Sequence, residues 1–296
     1  DDEDDEEDDD EDEKAPSTET TVFEKFYDEF KNFLLMGCHE DDANRSKISK
    51  LLRFISTHTE KQEGKKLTSL EDYVSRMQEE QPAIYYMTGD KVKEMEKEIA
   101  LEVYSKKELE VLLLDDPYAE QCVSKISDFE GVKLRSVQKA GDLRINWGKD
   151  EAQRYKDFTT MYKPLTKWFE KHTANSGVKI DKVEVSRRLV TAPAVVVSTE
   201  FGFSARQERL NKVNDQQDAA FSTSGKVLEL NPDHPVIYDL LQKVKADEED
   251  SSLEETANLV AQAAVLQSGF ELDDPSIIVN SIYDLVSAKY GVDPKA

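Results

Sequence analysis

The chain has 296 residues, a length for about two domains, with 38% hydrophobic residues and a formal net charge of −24. Its first thirteen residues, Asp1 to Glu13, are all acidic; setting them aside leaves 50 of the 63 acidic residues against 39 basic ones, a net charge of −11. A surface of that sign excludes the counterion release on which nucleic-acid binding depends, and it disfavours an anionic membrane surface.

A block of like charges repels itself and cannot bury apolar surface, so residues 1–22 read as an acidic disordered tail. A chain that starts inside such a tract is expected to be a piece of something longer. Nowhere does an apolar run approach the ~20 residues of a membrane span, and the N-terminus lacks the basic and apolar regions of a signal peptide. Two cysteines, Cys38 and Cys122, are too few for a disulfide framework; without a C-x-x-C partner they read as small buried hydrophobes.

Phe23, Phe26, Tyr27, Phe30, Phe33 and Leu34 recur at helical steps and predict a helix over 23–36. A second is predicted over 46–57 from Ile48, Leu51, Leu52 and Ile55, entered through Asp42 and Asn44. After a polar loop, Ser69 opens a short helix bearing Tyr73, Val74 and Met77. Strands at 83–88 (AIYYMT) and 109–114 (LEVLLL) flank a Lys/Glu-rich helix over 91–105. A helix over 118–126 and a weaker strand near 132–137 complete a β-α-β-α-β unit, which implies a parallel sheet with helices on its faces.

A charged helix over 150–171 bridges to the last domain, with the boundary at 174–177. Beyond it come strands at 182–189 and 194–199, a helix over 204–216, a polar stretch, the turn at 231–235 and three more helices. The fold class is thus α/β followed by α+β: a small three-layer middle subdomain preceded by helices, then a mixed C-terminal domain. The divisions fall at 1–22, 23–174 and 175–296.

Catalytic chemistry is missing. The glycines never come closer than Gly141 and Gly148, so there is no Gly-rich phosphate loop, and no G-x-S-x-G occurs. His39-Glu40 begins like a zinc-protease motif, but Ala43 stands where the second histidine belongs. His234, between Asp233 and Pro235, is expected to order a turn. No catalytic, metal or cofactor-binding residue is assigned.

The stretches GCHEDDANRSKISKLLRFIST (37–57), LTSLEDYVSRMQEEQPAIYYMTG (67–89), VEVSRRLVTAPAVVV (183–197), LELNPDHPVIYDLL (228–241) and LQSGFELDDP (266–275) resemble, in order and spacing, the 90-kDa heat-shock chaperone family. The resemblance runs from Phe26 to the C-terminus. It implies the later part of the middle domain followed by the C-terminal dimerisation domain of an ATP-dependent chaperone. Its partners would be a second copy, unfolded clients and co-chaperones. ATP and magnesium belong to an N-terminal domain that this sequence does not contain, nor does it contain the larger first part of the middle domain. No cofactor is therefore expected here. The Asp-rich tract resembles the linker of the family's endoplasmin branch, which implies the endoplasmic-reticulum lumen over the cytoplasm; the sequon Asn44-Arg45-Ser46 is in line with that.

Two surfaces follow. FGFSARQERLNKVN (201–214) resembles the family's client-contact segment, with Phe201, Phe203, Leu210 and Val213 as an exposed apolar strip. In it, Gln207 and Asn211 stand where the family tends to carry methionine or another apolar residue. The last two helices carry more apolar residues than one packing partner needs, and a two-fold pairing would bury the surplus in a four-helix bundle. Leu253, Val260, Ala264, Ile278, Ile282, Leu285 and Val286 are the expected dimer contacts. Ser252-x-x-Glu255 reads as the capping box of the first of these helices, Gly269 as its stop, and Asp274-Pro275 as the start of the second. A reading of another class is a free-standing module whose acidic tail binds basic proteins, as a histone chaperone does. A third, an enzyme built on the α/β unit, rests on fold analogy alone.

Overall fold

The computed structural model describes residues 22–58, 67–173, 179–213 and 225–292. The acidic tract up to residue 21, most of the polar loop after His58, the boundary at 174–177 and the polar stretch of 214–224 lie outside the described residues.

The first unit opens with α1 (Val22–Glu40) and α2 (Arg45–Ile48). A strand β1 (Ile55–Ser56) follows where a helix is expected from the period. The chain is already extended at Leu52, and Ile55 pairs with Leu113 at a sheet edge, so edge pairing of the Ile-Ser-Thr run overrides a weak helical pattern. Next come α3 (Leu70–Arg76), capped by the Ser69 hydroxyl on the Asp72 amide at 2.9 Å, and β2 (Ala83–Thr88).

The expected helix over 91–105 is instead α4 (Val92–Met95), a 3-10 turn (Ile99–Leu101) and α5 (Glu102–Lys106). Ile99, Ala100 and Leu101 are all buried, and three consecutive residues cannot all face inward from one regular helix. Then follow β3 (Val111–Leu114), α6 (Pro117–Lys125), β4 (Asp128–Phe129) and β5 (Val132–Ser136). Asp116 caps α6, accepting from the Tyr118 amide at 2.8 Å, with Pro117 in the first turn.

The sheet order is β1-β3-β2-β5-β4; β3, β2 and β5 run parallel, and β1 and β4 are antiparallel edges. Alternation along the strands divides the core. Ile84, Leu112 and Leu114 pack with Leu35, Tyr73, Ala119 and Cys122 of α1, α3 and α6. Ala83, Tyr85, Met87, Val111 and Leu113 pack with Met95, Leu101, Val103 and Tyr104.

The bridging segment is two helices, α7 (Lys149–Met161) and α8 (Lys163–His172), meeting at Tyr162. Pro164 causes the break: it has no N–H to donate, and its ring crowds the carbonyl four residues back. Tyr162, Leu165, Trp168 and Phe169 pack with Val183, Val185 and Leu228, so by packing these helices go with the second sheet. That sheet consists of β6 (Lys182–Val185), β7 (Ala194–Ser198) and β8 (Lys226–Leu230), in the order β6-β8-β7. The sequence pattern did not reveal β8, yet it is the central strand, parallel to β6 and antiparallel to β7.

The remaining helices are α9 (Ala205–Val213), α10 (Pro235–Ala246), α11 (Ser251–Gln267) and α12 (Ser276–Tyr290). His234 orders its turn by capping α10, its Nδ1 accepting from the Val236 amide at 3.2 Å. The expected capping box at Ser252 is not formed: Asp250 is the N-cap and accepts from the Ser252 amide at 2.9 Å. Gly269, at φ +75°, follows the end of α11 in a conformation that favours glycine.

Candidate functional site

The two units meet along a seam. Residues 138–140 continue from β5 and bridge to Ser198 of β7, with the Ala140 amide donating to the Ser198 carbonyl at 2.7 Å. Behind this lies Arg188, fully buried. Its guanidinium grips Glu229 of β8 with two donors at 2.8 and 2.9 Å, and it also donates to the carbonyls of Val137 and Lys139. Ser186 gives Glu229 a further hydrogen bond at 2.8 Å. A buried pair this well satisfied fixes the register of one unit on the other.

The start of α9 sits in the same seam. Ser204 and Gln207 form a reciprocal capping box: the Ser204 hydroxyl accepts from the Gln207 amide and the Gln207 side chain accepts from the Ser204 amide, both at 3.1 Å. Ser204 also donates to buried Glu120 of α6 at 2.8 Å; burial raises the Glu120 carboxyl above its usual range, against the hydrogen bonds from Ser204 and Thr88. Arg206, nearly buried, donates to the carbonyls of Gly89 at 2.7 Å and Asp115 at 2.9 Å. Asp90 faces both Arg206, at 3.2 Å, and Arg209, at 2.7 Å. Gly89 and Asp115 follow the C-terminal ends of the parallel strands β2 and β3. That edge is where open α/β sheets usually take ligands. Here the chain's own Arg206 binds the carbonyls at that edge and lines a cavity beside it, with Asp90 and Arg209.

Beyond this anchored turn, the expected strip is partly open. Phe201 is 98% exposed, Leu210 is 41% exposed and Phe203 is half-buried; the Val213 side chain lies outside the described residues. Gly202 shapes the loop, since a Cβ there would meet the Gly225 carbonyl and the Thr199 hydroxyl at 3.0 Å. Gln207 caps the helix, so it adds nothing to the strip.

The dimer expectation divides likewise. Leu253, Ala264 and Ile278 are buried in the chain's own core and cannot also face a second chain. This corrects their assignment as contacts. Helix α11 packs against β7 and α8, and its residues at these steps point inward. Val260 is half-buried, and Ile282, Leu285 and Val286 are about half exposed, at 47, 55 and 47%. Val279 and Tyr283 extend this open face, and Ile278 is the one buried residue of α12. Among the described residues, no group of three or more His, Cys, Asp or Glu is arranged to hold a metal ion.

The sequence matches the Hsp90 protein family from residue 2 to residue 296. The chain belongs to the Hsp90 family. An endoplasmin homolog of Catharanthus roseus is 41% identical over 277 residues, 93% of this chain and 33% of that protein. One of Arabidopsis thaliana is 39% identical over 93% of this chain and 32% of that protein. Heat shock protein 83 of Leishmania donovani is 34% identical over 92% of this chain and 59% of that protein. This Hsp90 chain thus spans about a third of the length of the plant relatives it matches.

Sequence reasoning missed the seam of this Hsp90 chain. Arg188 and Glu229 lie 41 residues apart, and Arg206 lies 117 from Gly89. Arginines in RRL and ARQ carry no local sign that they will be buried. One signal was available: Ser204-x-x-Gln207 has the spacing of a capping box, and it places the helix start.

Proposed function

We propose that this Hsp90-family chain is the dimer-forming, client-contacting portion of an ATP-dependent chaperone of the endoplasmic-reticulum lumen. The names of its relatives, endoplasmin homolog and heat shock protein 83, support the chaperone role, and the first of these names supports the compartment. The observation that carries the dimer is the open face of α12: Ile282, Leu285 and Val286 stand on one helix, each about half exposed. Two copies related by a two-fold axis would bury α12 and the half-buried Val260 of α11 in a four-helix bundle. Clients would meet Phe201, Phe203 and Leu210, held at a fixed place by the Arg206 anchor. The chain binds no nucleotide itself, because no Gly-rich loop offers amides to a triphosphate.

Sedimentation tests the carrying observation. The chain should sediment as a dimer at micromolar concentration, and Ile282→Asp with Leu285→Asp should shift it to monomer. A monomer without these substitutions overturns the reading. Phe203→Ser with Leu210→Ser should weaken suppression of client aggregation at an unchanged melting temperature.

A further inference from the structure

A cavity of about 270 Å³ lies where α5 of the first unit faces α7 and the loops that follow β6 and β8 in the second. That volume is at the small end of the range for ligand sites. Lys106 and Lys107 line it from the first unit, and Trp147, Tyr155, Phe158 and Arg187 line it from the second.

Two of the cations on its wall are already paired. Lys107 meets Glu151 at 2.8 Å, and Arg154 meets Asp233. Arg187 is held differently. Its guanidinium carbon lies 4.7 Å from the Trp147 ring centroid and 4.2 Å from that of Tyr155, and among the described residues it makes no ion pair or hydrogen bond. Contact with ring faces fixes a guanidinium through its flat side and leaves its N–H edge unused. Lys106 is exposed and feels Glu151 only from beyond ion-pair distance. The Trp147 indole N–H is buried and has no acceptor among the described residues. A half-buried cation, a second cation and an orphaned donor thus line one cavity, in a chain whose net charge is −24.

These groups call for an acceptor. A carboxylate matches the guanidinium fork with two parallel hydrogen bonds. Glu151 and Asp233 stand on the same wall and would repel a polyanion, which limits the ligand to a single negative charge. The rest of the lining, with Val103, Phe158, Leu189 and Pro232, is apolar and suits a flat apolar body.

We propose that this cavity binds a small monocarboxylate with an aromatic body. The carboxylate sits on Arg187, Lys106 adds attraction, and the ring packs against Phe158 and its apolar neighbours. Such a ligand touches both units, so it stabilises the folded chain in proportion to its concentration over its dissociation constant.

The test titrates the full chain with 3-phenylpropionate, followed by calorimetry and by tryptophan emission, since Trp147 is one of two tryptophans. Binding should saturate at one site per chain, change the emission and raise the melting midpoint. 3-Phenylpropanamide has the same shape without the charge and should bind about tenfold more weakly, as should acetate, which lacks the ring. Arg187→Met should weaken the acid by a similar factor, and Arg187→Lys, which keeps the charge without the fork, should fall between. If Arg187→Met does not fold, the comparison of acid with amide on the unsubstituted chain decides alone. Equal affinity for acid and amide, no saturable binding at millimolar acid, or full affinity in folded Arg187→Met overturns the proposal.

Discussion

Two faces of the second unit are built in different ways. The face toward the first unit is covered by its own chain and is rich in buried polar groups: Arg188 with Glu229, Ser204 with Glu120, and Arg206 with the carbonyls of Gly89 and Asp115. The face made by α12 is apolar and open. A seam built from charge-assisted hydrogen bonds stands only if every group in it is satisfied, so it suits a contact made once, during folding. An apolar face tolerates water at modest cost and gains when a second surface arrives, so it suits a contact between chains. The two helices before the C-terminus show the same division in miniature, since α11 turns Leu253, Ala257, Ala261, Ala264 and Val265 into the core while α12 turns in Ile278.

The comparison can be broken most severely at the seam. Arg188→Ala leaves Glu229 buried without its counter-charge, which should cost about 3–5 kcal/mol. Urea unfolding should show that loss; a change near zero would mean the seam is wet and weak. The inward side of α11 comes next. Leu253→Ala should cost about 2–5 kcal/mol, the range for a buried leucine whose cavity partly persists.

On the open side, Ile282→Asp with Leu285→Asp should change the monomer's stability by no more than about 0.5 kcal/mol per site, as at other exposed positions. The same pair should abolish self-association by sedimentation, so stability and assembly separate at α12 and do not separate at α11. The smallest effect concerns pH. Burial pushes the Glu98 carboxyl up to about 7, against the hydrogen bond from Gln138 and the charge of Arg209 across the seam. A folded-state value above the unfolded one means the native form binds more protons in that interval. Stability from this group is present in full below its ordinary value of 4.5 and is lost as pH rises through about 7. Glu98→Gln should flatten that part of the stability–pH profile, measured as the difference from the unsubstituted chain.

Much of the framework was legible. The runs AIYYMT and VLLL announce buried parallel strands because both faces are covered and no alternation is required. Ser69, Pro117 and Pro235 mark helix starts through local chemistry that needs no distant partner. The errors share one cause. Ile55 reads as helix by period and becomes an edge strand beside Leu113; residues 227–230 carry no assignment by pattern and become the centre of a sheet. In each case a partner far along the chain decides the state of a short segment.

The sequence by itself determined which residues are apolar, where most helices begin, and that the last two helices carry more apolar surface than one neighbour needs. Those properties depend on side-chain type, spacing and backbone chemistry within a few residues. The tertiary structure alone decided how that surplus is divided. It buried Leu253, Ala264 and Ile278 at home and left Ile282, Leu285 and Val286 outside, and it set Arg188 against Glu229. Which face of a helix meets the core depends on where the sheets and neighbouring helices lie, and no local pattern encodes that placement.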